Sequence, residues 1–214
     1  MRSGIILAGG RSSRMGGDKG LAELGGKPLV AHVVERLRPV VDEVIIVVGS
    51  ETQREAYRAL GVRVVADRPP RGTPLVGAYT GFLEARGEYA FLTGGDQPLL
   101  DPRVVELLFT EAEGHDAATP TWPNGWIEPL HATYRVKPAG ATALRLIESG
   151  ERKLGMILGA LPDVRHVPID DVRALDPQLR TLMDVDTAED LDRIHGLTEK
   201  KGGHPDLLRK NVLR

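Results

Sequence analysis

Residues 7–20 read LAGGRSSRMGGDKG. They follow a short apolar run, residues 4–8 (GIILA), and hold five glycines, two arginines and one lysine. A β-branched apolar run that ends in Gly-Gly reads as a buried central strand running out into a turn. Glycine has no Cβ, so backbone N–H groups in such a turn can approach an anion closely. Ligands of open α/β sheets bind at the carboxyl ends of the strands, where this turn lies. With Arg14 and Lys19 on the same loop, the stretch reads as a phosphate cradle with cations mounted on it. A Walker A loop needs Gly-x-x-x-x-Gly-Lys-Ser/Thr, which Asp18-Lys19-Gly20 does not supply. A dinucleotide fingerprint needs Gly-x-Gly-x-x-Gly, which Gly9-Gly10-Arg11-Ser12 breaks. The alternative is a plain strand–helix connection whose cations are solvated.

Outward from this stretch the pattern alternates. Residues 28–37 (PLVAHVVERL) have helical spacing, with Pro28 at the start, where a missing N–H is harmless. Residues 43–48 (EVIIVV) form the continuous apolar run of a strand covered on both faces. Residues 51–60 read as a helix closed by Gly61, and 62–66 as a third strand. Further helices are expected over 74–86, 102–113 and 139–148. Further strands are expected over 88–93, 117–120, 128–135 and 164–169. Residues 187–195 begin with a threonine cap followed by acidic residues. This order predicts an α/β fold: a three-layer αβα, Rossmann-like architecture around a mostly parallel sheet. Residues 1–197 read as one domain. Residues 198–214 read as a loosely held, solvated tail with a short helix over 206–214.

The chain has 214 residues, enough to bury a sizeable core. Hydrophobic residues make up 41% and charged residues 27%, as in an ordinary soluble protein. A formal net charge of −2 argues against nucleic acid or a membrane as partner. There is no cysteine, which excludes thiolate chemistry, disulfides and zinc–cysteine sites. No apolar run approaches the roughly 20 residues of a membrane span, and the N-terminus does not read as a signal peptide. A cytoplasmic location is expected.

Taken together, Leu7-Ala8-Gly9-Gly10, Arg14-Met15-Gly16 and Lys19 resemble the opening signature of nucleotidyltransferases. Asp18-Lys19-Gly20-Leu21 and Gly26-Lys27-Pro28-Leu29 narrow the resemblance to the molybdenum cofactor guanylyltransferase family. It continues through Ala66-Asp67, Thr73-Pro74-Leu75-Val76-Gly77, Gly95-Asp96-Gln97-Pro98, Glu128-Pro129-Leu130-His131-Ala132 and Asp184-Val185-Asp186-Thr187. It therefore spans about residues 4–195. The resemblance implies a sheet of the nucleotide-diphospho-sugar transferase type. It also implies transfer of GMP from Mg–GTP to the terminal phosphate of molybdopterin, with pyrophosphate leaving. Residues 1–100 would bind the nucleotide and 101–197 the acceptor. Molybdoenzymes or cofactor-delivery proteins would be the downstream partners.

Carried over by position, the resemblance assigns Leu7, Ala8, Gly9 and Gly10 to nucleotide binding, and Lys19 to the phosphates. Arg14 is the candidate second cation, or else the partner in a loop salt bridge. Cations there would stabilise the charge that develops on the phosphoryl oxygens and on pyrophosphate. Asp96, after the strand that ends near Thr93, is the metal-binding aspartate of the pattern. Mg²⁺ takes one or two carboxylates beside phosphate oxygens and waters. The competing role for Asp96, a helix N-cap, is better filled by Asp101 ahead of Pro102. Arg14, Lys19 and Asp96 are thus the catalytic set. Asp67 matches an aspartate near the nucleotide, or else forms a turn before Arg68-Pro69-Pro70. Thr73 stands where relatives usually have glycine. Trp122, Trp126 and His131 are candidates for the acceptor wall, or else packing. Asp184 and Asp186 stand where relatives often carry asparagine, and they receive no binding role. Three alternatives stay open: a cytidylyltransferase acting on the same cofactor, a sugar-1-phosphate nucleotidyltransferase, and a non-catalytic nucleotide-binding or delivery protein.

Overall fold

A computed structural model describes residues 1–8, 11–12, 17–68 and 72–199. Gly9, Gly10, Arg14, the Pro69-Pro70 pair and the tail from residue 200, including the helix expected over 206–214, lie outside the described residues. Seven strands form one sheet: β1 (Arg2–Leu7), β2 (Glu43–Val48), β3 (Arg63–Ala66), β4 (Tyr89–Gly94), β5 (Ala117–Thr121), β6 (His131–Arg135) and β7 (Val164–Pro168). Their spatial order is β7-β5-β6-β4-β1-β2-β3. Every neighbouring pair is parallel except the two made by β6. The mostly parallel α/β architecture read from the sequence is therefore what the chain adopts.

Alternation along the central strands supplies a core on each face, because successive side chains point to opposite sides. Ile6 and Ile46 face a layer built from α1 (Leu29–Leu37), α4 (Pro102–Ala112) and α7 (Ile169–Leu175). Ile5, Ile45 and Val47 face a second layer built from α3 (Pro74–Glu84), α5 (Val136–Glu148) and α6 (Met156–Ala160). A smaller cluster of Leu24, Leu29, Val185 and Ile194 ties α8 (Ala188–Glu199) to the start of α1. Register then fixes where a ligand can sit. Leu7 lies opposite both Val47 and Gly94, so β1, β2 and β4 run out in one row.

The differences from the expected elements have local causes. The helix expected over 51–60 is α2 (Glu51–Ala56) followed by a 3₁₀ turn (Arg58–Leu60), closed as expected by Gly61 at φ +64°. Helix α5 starts three residues early, at Val136, because Pro138 is tolerated in a first turn. Strand β6 starts late, because the N–H of His131 donates to the Glu128 carbonyl at 2.9 Å and closes a turn. Helices α6 and α7 are too short to show a period. Helix α8 runs past the expected end at 195, to Glu199.

Helix α3 lies very close to β1. A Cβ built at Gly81 would stand 2.5 Å from Ile5 Cγ2. Alanine at 81 gains about 1 kcal/mol of helix propensity and incurs about 1–3 kcal/mol of overpacking. Gly81→Ala is therefore expected to lower the urea midpoint, with a net loss of about 1 kcal/mol. A midpoint at or above the parent's would contradict this packing.

Candidate active site

A cavity of about 500 Å³ opens beyond the row where β1, β2 and β4 end. Leu7, Ala8 and Val48 line its sheet side, Asp67 and Gly77 its α3 side, and Lys19 and Asp96 its far rim. The carbonyl of Leu7 accepts from Gly95 N at 2.9 Å, and Ala8 N donates to Val47 O at 2.8 Å. The sheet thus continues one residue past β1. The amide of Ala8 closes that edge, and Leu7 and Ala8 contribute side-chain surface to the cavity. Asp67 follows β3, is 7% exposed, and lines the same space. Thr73 takes the N-cap of α3, its Oγ1 accepting from Val76 N at 3.3 Å. The Thr73 side chain therefore sets the start of the helix that walls the cavity.

Lys19 is placed by the residue before it. Asp18 Oδ1 accepts from the Tyr57 hydroxyl at 2.6 Å and from Gly20 N at 3.2 Å. Asp18 Oδ2 accepts from Gln53 Nε2 at 2.9 Å. Gln53 and Tyr57 belong to α2 and the turn that ends it, and α2 is capped by Ser50. Tyr57 is fully buried; burial, reinforced by Asp18, pushes its hydroxyl pKa far up, so it stays a donor. Gly20 must be glycine here, since a Cβ would stand 2.5 Å from the Tyr57 hydroxyl. Residues 18–20 are therefore pinned to α2, and Lys19 projects towards the strand ends.

There its ammonium meets carboxylates from two distant parts of the chain. Lys19 Nζ donates to Asp96 Oδ2 at 2.5 Å and also to Asp186 Oδ1. Burial alone would lower the pKa of Lys19, but the hydrogen bonds to Asp186 and Asp96 outweigh it and raise the pKa. Asp96 sits in the turn after β4. A Cβ at Gly94 would overlap Asp96 Oδ1, so glycine there makes room for the carboxylate. The Asp96 carbonyl accepts from Val185 N at 3.0 Å. Gln97 accepts from Thr93 Oγ1 at 2.6 Å and donates through Nε2 to Asp184 Oδ1 at 3.0 Å. Residues 184–186 are thus docked onto the turn that carries Asp96. Asp101, not Asp96, caps α4, accepting from Arg103 N at 2.9 Å.

Lys19 and Asp96 come together as the sequence implied, with Asp67 across the cavity. Asp186, given no role from the sequence, is the third member of the cluster. The acceptor-wall candidates fare differently. His131 is 1% exposed, stacks edge-on against Phe91 at 5.1 Å between centroids, and has its pKa driven down to about 3 by burial. It is a core residue and lines no wall. Trp122 donates from Nε1 to Glu128 Oε1 at 2.9 Å under the guanidinium of Arg173. Trp126, at the tip of the same loop, is 67% exposed.

Known proteins resemble this chain in sequence and in fold. The MobA-like NTP transferase domain matches residues 4–164. A probable molybdenum cofactor guanylyltransferase of Methanosarcina mazei is 37% identical over 210 residues, covering 94% of this chain and 93% of that protein. Among solved structures, molybdopterin-guanine dinucleotide biosynthesis protein A from Archaeoglobus fulgidus has a TM-score of 0.81 at 28% identity, covering 94% of this chain and 100% of that one. CMP:2-keto-3-deoxy-manno-octonic acid synthetase, at 18% identity and a TM-score of 0.69 over 94% of this chain and 99% of that one, shares the fold.

Asp184 makes a pH-dependent contribution. Burial raises its pKa first; Gln97 opposes this, and Asp96 and Asp186 add to the rise. A carboxyl whose folded pKa lies above the unfolded value of 3.8 favours folding in its neutral form. That contribution is lost as pH rises through the folded pKa. At neutral pH the ionised group therefore opposes folding. Asp184→Asn keeps an acceptor for Gln97 and removes the charge. It is expected to raise Tm at pH 7, by an amount that shrinks towards pH 3. A Tm lowered at pH 7 would contradict the assignment.

Proposed function

The chain belongs to the MobA-like NTP transferase family, and on that premise we propose that it transfers GMP from Mg–GTP to the terminal phosphate of molybdopterin. The observation that carries the proposal is the meeting of Lys19 with Asp96 and Asp186 at the rim of the cavity where β1, β2 and β4 end. A phosphate oxygen of the acceptor attacks the α-phosphorus of GTP. The bond from that phosphorus to the bridging oxygen breaks, and pyrophosphate leaves. The acceptor is its own nucleophile, so the protein's task is to position the reactants and stabilise charge.

Leu7, Ala8, Gly9 and Gly10 hold the nucleotide, and Asp67 faces the base. Its carboxylate complements the ring N–H and amino group of guanine, whereas cytosine offers only its amino group on that edge. Lys19 stabilises the charge on the α-phosphoryl oxygens and the departing pyrophosphate, with Arg14 as the second cation. Asp96 and Asp186 already share one cation, which suits Mg²⁺, an ion that takes one or two carboxylates and completes its shell with phosphate and water. Among the described residues no group of three or more His, Cys, Asp or Glu could hold a metal unaided. The cation would therefore depend on substrate phosphates for its remaining ligands. When bound, Mg²⁺ neutralises triphosphate charge. Residues 1–100 form the nucleotide half and 101–197 the acceptor half. Among the described residues no helix is long and apolar enough to cross a membrane, and a cytoplasmic setting fits a soluble substrate pair.

A thermal-shift panel with Mg²⁺ and GTP, CTP, ATP or UTP tests base choice. A nucleotide at about 100 times its Kd stabilises the fold by roughly 2.7 kcal/mol. The expected result is a Mg²⁺-dependent shift with GTP; a shift with CTP alone would point to a cytidylyltransferase. Pyrophosphate release should fall on the order of 10²–10³-fold in Lys19→Ala and Asp96→Ala. It should also fall in Gly94→Ala, whose methyl group displaces the Asp96 carboxylate. Undiminished release in Lys19→Ala or Asp96→Ala would overturn the assigned roles.

A further inference from the structure

The two carboxylates that would hold the divalent cation are already bridged by an ammonium. Lys19 Nζ is bonded to Asp96 Oδ2 at 2.5 Å and to Asp186 Oδ1, with its side chain only 16% exposed. Among the described residues no other side-chain cation is paired with either aspartate. The backbone that carries Asp186 is docked onto the turn that carries Asp96, although the Asp186 side chain itself is 64% exposed. Val185 N is bonded to the Asp96 carbonyl, Gln97 holds Asp184, and Val185 is fully buried against Leu24, Leu29 and Ile194. An ammonium and a hydrated divalent ion cannot both sit between the same two carboxylate oxygens. Lys19 nevertheless lines the nucleotide cavity together with Asp96, and its four-carbon stem can rotate without moving the backbone.

We infer that Lys19 is a built-in stand-in for the metal: in the nucleotide-free protein its ammonium fills the cation site between Asp96 and Asp186 and keeps free divalent ions out. A triphosphate in the cavity offers Lys19 a stronger anionic partner. The side chain turns to the phosphates, and the two aspartates are released to the ion that travels with the nucleotide. The inference rests on the proposed nucleotidyl transfer. It adds to it that cation binding is coupled to nucleotide binding through one side chain.

The test uses Mn²⁺ as probe, with free ion counted by electron paramagnetic resonance, on the full chain. The parent should bind Mn²⁺ alone weakly and Mn²⁺ with GTP well. Lys19→Met and Lys19→Gln, checked for folding by circular dichroism, should bind Mn²⁺ without nucleotide about tenfold more tightly than the parent, a change of about 1.4 kcal/mol. Adding Asp186→Asn to either variant should cancel that gain. If the parent binds Mn²⁺ with GTP but both lysine variants bind free Mn²⁺ no better than the parent, the stand-in role fails and the transferase reading survives. If the parent binds Mn²⁺ in neither condition, the transferase reading fails and takes the inference with it. Tight Mn²⁺ binding to the nucleotide-free parent overturns the inference without any variant.

Discussion

One ammonium shared by two carboxylates holds together parts of the chain that are far apart in sequence. Lys19 follows β1, Asp96 follows β4, and Asp186 precedes α8. Exposed ion pairs contribute little, and Asp186 is an exposed partner, but Lys19 and Asp96 are partly withdrawn from water, where opposite charges attract more strongly. Removing one member would leave the others as poorly compensated charge. The surroundings look like supports for this contact. Asp18, Tyr57 and Gln53 aim the lysine, Gly94 clears space for Asp96, and Gln97 with the backbone of Val185 brings the third carboxylate to it.

The sheet makes the contact reachable. Because β1, β2 and β4 are parallel and end in register, the chain leaves all three at the same edge, and each exit delivers a functional residue or a wall of the cavity. The two apolar layers on either side cost the sequence little complexity. Period-two alternation in β1 and β2 sends Ile6 and Ile46 one way and Ile5 and Ile45 the other. The irregular backbone, with its polar groups, is thereby confined to the strand ends, where binding residues belong.

The sequence carried a good deal of this. EVIIVV reads to the residue as β2, because a strand covered on both faces leaves a continuous apolar run. The proline that follows marks Asp101 as the cap, which leaves Asp96 for another role. Lys19 and Asp96 stood out through local motifs. Asp186 lies in a motif of the resemblance but receives no role there, because a charged pair beside an anionic acceptor is unexpected; that Val185 and Gln97 dock its segment beside Asp96 is visible only in the fold. For His131 the sequence leaves acceptor wall and packing open, and the pairing of β6 with β4 places it in the core. The break between Ala56 and Arg58 is invisible to periodicity for a related reason. Tyr57 turns inward to reach Asp18, a contact across 39 positions that helical periodicity cannot register.

The most direct test of the account is to follow the α-phosphate. The chain would be incubated with Mg²⁺, molybdopterin and GTP labelled at the α-phosphorus, and the label located afterwards. The account predicts that the label moves into a guanine dinucleotide form of the cofactor, with one pyrophosphate released for each label transferred. Label that stays in GTP, or is released as free GMP regardless of acceptor, would contradict it.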